Sequence, residues 1–153
     1  MIDMDKFFIS IALVQKSVAG KTFWLLREQD ELLRFIVGNR LEKESFRETV
    51  IREVAWQLNL DRRRDMLVSN MSQLSIEFDE QLPDSSGQRH VALAFYNVHL
   101  NRQKVIDVVD AENSNHWVTA SEICLGRSDD GRQIDAEIVG WINKYEIVKP
   151  WQI

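Results

Sequence analysis

The chain switches between two hydrophobic periods. "FFISIALV" (7–14) and "KTFWLLRE" (21–28) are short runs rich in aromatic and branched residues, separated by "QKSVAG", and they predict two strands joined by a turn. From Ser45 the period lengthens. Val50, Ile51, Val54, Ala55 and Leu58 recur at helical spacing, which predicts a helix with one face on a core. Ser45 with Glu48 three residues on makes a capping-box pattern, and Asn59 suits a left-handed stop.

Further along, Leu74, Ile76 and Phe78 alternate with Ser75, Glu77 and Asp79, as in a strand with one wet face. The turn "LPDSSGQ" leads to "HVALAFYNVHL", whose nearly unbroken apolar run predicts a central strand covered on both faces and hairpinned to the strand before it. "NHWVTASEI" reads as a strand end entering a helical turn capped by Thr119, with Glu122 in the box position, and "SDDGRQ" reads as a loop. Ile138, Trp141, Ile142 and Tyr145 fall at i, i+3, i+4 and i+7, so 135–145 is expected to be an amphipathic helix. The order strand, strand, helix, several strands, helix predicts a mixed α/β sandwich rather than a regular βαβ repeat.

At 153 residues with 44% hydrophobic and 28% charged positions, the chain can bury a sizeable core, and no low-complexity segment, repeat or long linker divides it. A single domain over 1–153 is expected. The net charge of −5 argues against a nucleic-acid polymer as partner, which calls for a basic excess, but leaves room for a small anionic ligand held by local arginines. One cysteine, Cys124, allows no internal disulfide and reads as a small core residue. "FFISIALV" is too short to cross a bilayer, and "MIDMDK" has two aspartates against one lysine where a signal peptide would be basic, so a cytoplasmic protein without membrane attachment is expected.

The candidate chemistry begins at Gly38. In "GNRLEKESFRETVIREVAWQLNL", Gly38, Glu44, Arg52, Glu53 and Val54 hold the spacing of the signature of the Nudix hydrolases, which the chain resembles through the first half of that motif. The signature continues with any residue, two glutamates, any residue, a glycine and an aliphatic. This chain has Ala55, Trp56, Gln57, Leu58, Asn59 and Leu60 there. "HWVTASEI" also looks like the family's tryptophan-containing strand and short helix, so the resemblance covers most of the chain. It implies a Nudix-type α/β/α sandwich with a mixed β-sheet. Two loop registers stay open, because pairing "GNRLE" with the family's glycine pair would make Glu42, rather than Glu44, the loop carboxylate.

The resemblance implies a helix edge that holds magnesium ions against a diphosphate. Residues three and four apart share a helix face, so Glu53, Trp56 and Gln57 project together. Magnesium wants hard oxygen ligands, chiefly carboxylates and substrate phosphates. Gln57 offers a neutral carbonyl oxygen and Trp56 offers none, so Glu53 and Gln57 are the candidate metal ligands of a weakened site. Glu44, Glu53 and Gln57 are the candidate catalytic positions, with Glu44 and Arg52 expected to pair and fix the loop. Arg27, Arg34, Arg40 and Trp56 are the candidate ligand-binding residues, on the family layout.

Two functional classes follow. One is a domain that recognises a nucleoside-diphosphate-type ligand, or a protein partner, with weak or absent hydrolysis; the other is an active magnesium-dependent pyrophosphohydrolase that recruits carboxylates from outside the motif. Glu77, Asp79, Glu80, Asp110 and Glu112 are the acids that could be recruited, although solvated positions explain them as well. A glutamine substituted for a natural glutamate at 57 would leave the same pattern. Arg62, Arg63 and Arg64 read as a solvated turn before a phosphate clamp. His90, His99 and His116 lack metal-ligand spacing. Trp24, Trp117 and Trp141 are expected in the core, while Trp56 is free to stack on a base, plug the pocket or meet a partner, including a second copy of the chain.

Overall fold

Two long strands, β1 (Asp5–Val18) and β7 (Gln88–His99), run parallel at the centre of an eight-stranded sheet in the computed structural model, which describes residues 5–81 and 87–153. Every other strand pairing is antiparallel, so the sheet is mixed. β1 is longer than its apolar run suggested. "QKSV" extends it, and the turn shrinks to Ala19 and Gly20, both at positive φ, as a type I′ hairpin turn requires. β2 (Lys21–Gln29) turns in the same way through Asp30 and Glu31 into β3 (Leu32–Arg34), a strand the sequence pattern did not reveal. β4 (Ile36–Asn39) returns along the first half of β1.

Helix α1 (Phe46–Leu58) starts and stops where its caps predict. The Ser45 hydroxyl accepts from the Glu48 amide, the Glu48 carboxylate accepts from the Ser45 amide, and Asn59 closes the helix in the left-handed region. Its buried face is Thr49, Val50, Val54 and Leu58. Burying each of the aliphatic three contributes about 1.5–3 kcal/mol against chain entropy.

β5 (Leu67–Val68) and β6 (Leu74–Gln81) both pair with β7, and β6 shows the expected alternation of half-buried and exposed positions. The β6–β7 hairpin is as expected, while 82–86 of its turn lie outside the described residues. Helix α2 (Gln103–Asp110), which the sequence did not disclose, buries Val105, Ile106 and Val109. β8 (Asn115–Val118) runs into α3 (Ala120–Leu125) through a complete Thr119–Glu122 capping box, and α4 (Ala136–Lys144) is capped by Asp135.

Alternation along the central strands separates two cores. Ile11, Leu13, Trp24, Leu26, Leu93 and Phe95 face α3 and α4, whereas Ala12, Val14, Leu25 and Val98 face α1 and α2. The architecture is therefore an α/β/α sandwich. Among the described residues no helix is long and apolar enough to cross a membrane.

Candidate functional site

The loop between β4 and α1 is held by one guanidinium. Arg52 Nε and Nη2 donate to the two oxygens of Glu44 at 2.9 and 3.0 Å, Nη1 donates to Glu53 at 3.0 Å, and Nη2 also reaches the Asn39 carbonyl. Glu44 accepts further from Thr49 Oγ1 (2.6 Å) and the Leu41 amide. The Arg52 hydrogen bond, with Thr49 and Leu41 adding to it, lowers the Glu44 carboxyl to about 2, although its partial burial works the other way. Of the two loop registers, this geometry selects Glu44 as the carboxylate tied to the helix. Gly38 is needed for a separate reason. A Cβ there would lie 2.5 Å from Glu53 Cγ and 2.8 Å from Thr49 Cγ2, so only glycine lets β4 come this close to α1.

Glu53, Trp56 and Gln57 do share an edge of α1, as their spacing requires, but the edge is poor in free negative charge. Glu53 is 18% exposed and already accepts from Arg52 and from Gln57 Nε2 at 3.1 Å. The Gln57 carbonyl oxygen, its one potential metal ligand, faces Arg27 Nη1 at 3.5 Å. Among the described residues no group of three acids, histidines or cysteines is arranged to hold a metal ion. The donor set of one engaged carboxylate and one amide is a poor match to magnesium, which is held through carboxylates and phosphates.

A cavity of about 490 Å³ opens beside this edge, lined by Arg27, Glu28, Arg34, Phe35, Trp56 and Gln57. Arg27 and Arg34 are direct cross-strand partners on β2 and β3. Like charges in that position repel. The partners of Arg27 are neutral: Asn115 Oδ1 at 2.9 Å, Gln57 Oε1 and Ser114 Oγ. Among the described residues Arg34 Nε is buried with no hydrogen-bond partner, a state that costs about 1–3 kcal/mol or more for a charged group. The acid in the cavity wall, Glu28, is bound to Arg132 and His116. Trp56 is 78% exposed, so it does not plug the pocket; it stands between this cavity and a second one of about 630 Å³ lined by Arg52, Glu53 and Arg62.

Arg40 departs from its expected place. It lies over the rings of Phe8 (4.5 Å) and Phe46 (5.1 Å) and is not among the residues that line the arginine cavity. Cation–π attraction and the hydrophobic face of the guanidinium hold it there. Four of the five recruitable acids are engaged elsewhere: Glu77 and Asp79 with His90, Glu80 with Arg89, and Asp110 with Trp117 Nε1 (2.6 Å) and Lys16; Glu112 is exposed. Arg64 pairs with Asp61 in the turn after α1. Trp24 is buried; Trp117 and Trp141 are half-buried.

Sequence reasoning missed Asn115 and Ser114, which aim Arg27, and Asp135 and Glu137, which reach a smaller cavity shared with Gln57 and Arg34. No local signal marks them. Their placement depends on β8 joining β2 and on the segment just before α4, whose Asp135 amide donates to the Leu33 carbonyl of β3. Asp135 caps α4, and Glu137 pairs with Arg89 at 3.1 Å.

No family model and no curated protein is matched by the chain. Solved structures are. The chain is similar to an Ap4A hydrolase from C. elegans (TM-score 0.58, 15% identity, 92% of this chain and 96% of that one). It is similar to a MutT protein from Methanosarcina mazei Go1 (TM-score 0.55, 15% identity, 95% and 96%). It is also similar to the NUDIX domain of Shewanella oneidensis NrtR, solved with ADP ribose (TM-score 0.55, 11% identity, 94% and 88%). At such low identity these likenesses give the fold, which is the Nudix fold.

Proposed function

We propose that this Nudix-fold chain recognises a small nucleoside-diphosphate-type ligand and hydrolyses it weakly or not at all. The observation that carries this reading is the α1 edge: Trp56 and Gln57 leave Glu53 as its one carboxylate, and Glu53 is already bound by Arg52 and Gln57. Hydrolysis of a diphosphate through a divalent ion needs that ion held firmly against the phosphates, and a single engaged carboxylate holds it weakly. The adjoining cavity supports binding. It offers two cationic side chains for phosphate and an exposed indole for a base. The NrtR domain solved with ADP ribose supports a ligand of this class.

A second reading, an active magnesium-dependent pyrophosphohydrolase using Glu53 and acids outside the motif, draws support from Asp135 and Glu137, which line a cavity together with Gln57. A thermal-shift and turnover panel of ADP-ribose, dinucleotides and nucleoside triphosphates, with and without magnesium, separates the two. The first reading expects stabilisation by ligand with little product from the parent, and magnesium-dependent turnover from Trp56→Glu/Gln57→Glu. Efficient turnover by the parent that is lost in Glu53→Gln establishes the second.

A further inference from the structure

The arginine cavity has an electrostatic problem that the protein does not solve by itself. Arg27 and Arg34 face each other across β2 and β3, and among the described residues the partners of Arg27 are neutral and a buried donor of Arg34 has no acceptor. The turn Asp30–Glu31 fixes this register, so the two cations cannot slide apart. Next to them, the carbonyl oxygen of Gln57, which stands where the resembled motif would carry a metal-binding glutamate, faces the Arg27 guanidinium at 3.5 Å.

We propose that Arg27 and Arg34 together take the charge-neutralising part of a divalent cation, so that this site binds the diphosphate of its ligand without a metal. This rests on the nucleoside-diphosphate reading above. Arginine suits the role because its planar fork bonds phosphate oxygens in pairs and stays charged at every working pH. Gln57, being neutral, accepts from Arg27 without cancelling its charge. A glutamate there would compete with the ligand for that guanidinium. Trp56 on the cavity rim leaves room for a base beside the bound phosphates.

Calorimetric titration of the full chain with ADP and with inorganic pyrophosphate, each in EDTA and in magnesium, tests this. The expected result is binding in EDTA at least as tight as in magnesium, weakening steeply with salt and falling about tenfold to a hundredfold in Arg27→Gln and in Arg34→Gln. Arg27→Gln carries the test if Arg34→Gln does not fold, because Arg27 leaves behind only neutral partners. Binding that requires magnesium, or binding in EDTA that Arg27→Gln leaves unchanged, overturns the proposal that the arginines replace the metal and keeps the ligand reading. If neither ADP nor pyrophosphate nor ADP-ribose binds in either condition, both fall.

Discussion

Gly38 on β4 and Glu53 on α1 touch with no room for one more carbon between them, since a Cβ on Gly38 would lie 2.5 Å from Glu53 Cγ. The motif glycine thus acts through packing: its φ is not in the left-handed region, and what it permits is the approach of a strand to a helix. Gly38→Ala is expected to destabilise the fold by about 1–3 kcal/mol, seen as a lower urea midpoint. Truncating Glu53 to alanine in the same chain should recover part of that loss. Strict additivity of the two changes would contradict the steric account.

Glu44 supplies a pH dependence whose sign is fixed. Its folded carboxyl is lowered to about 2 from an ordinary 4.5, first by the Arg52 hydrogen bond, so the stability it contributes is fully present above about 4.5. That contribution is lost as pH falls from about 4.5 toward 2. Urea midpoints measured across this window should fall more steeply in the parent than in Glu44→Gln, which is expected to be less stable at neutral pH and flatter below it.

Trp56 separates stability from recognition. An indole this exposed contributes little to the fold, so Trp56→Ala should keep its unfolding free energy within about 0.5 kcal/mol of the parent. Loss of base stacking should weaken a nucleoside diphosphate by about 1–3 kcal/mol while leaving inorganic pyrophosphate unchanged. Equal weakening of both would show that the indole does not meet the base.

The Asp30–Glu31 turn holds two non-glycine residues at φ of 54° and 66°. Type I′ turns favour glycine at the second position, so Glu31→Gly is expected to raise stability by about 0.5–1 kcal/mol, measured by thermal or urea unfolding. Because the register of Arg27 against Arg34 is kept, ligand affinity should not change.

What could be read in the sequence was what local chemistry decides. The ends of α1 follow from Ser45, Glu48 and Asn59 alone, while the pairing of Glu44 with Arg52 was implied by the resemblance to the Nudix signature. α2 escaped because Arg102 gives it no side-chain cap and its eight residues present Val105, Ile106 and Val109 over little more than two turns. β3 and β4 are three and four residues long, too short for alternation to declare them. The site divides in the same way. Arg27 and Arg34 were singled out, but their opposition belongs to strand register, and the place of Arg40 depends on Phe8, far away in sequence, which supplies one of the rings beneath it.

The parallel ladder between β1 and β7 pairs Asp5 with Arg89 and Gln15 with His99, so β1 waits for a neighbour that follows most of the other strands in the chain. Until β7 emerges, β1 can close hairpin contacts with β2 and β4, but one whole edge stays open. Such late, long-range closure slows folding and leaves an apolar edge available to other chains. A ribosome stalled before β7 should therefore present an aggregation-prone intermediate, and the yield of this protein in a cell should depend on chaperones that shield an unpaired strand during synthesis.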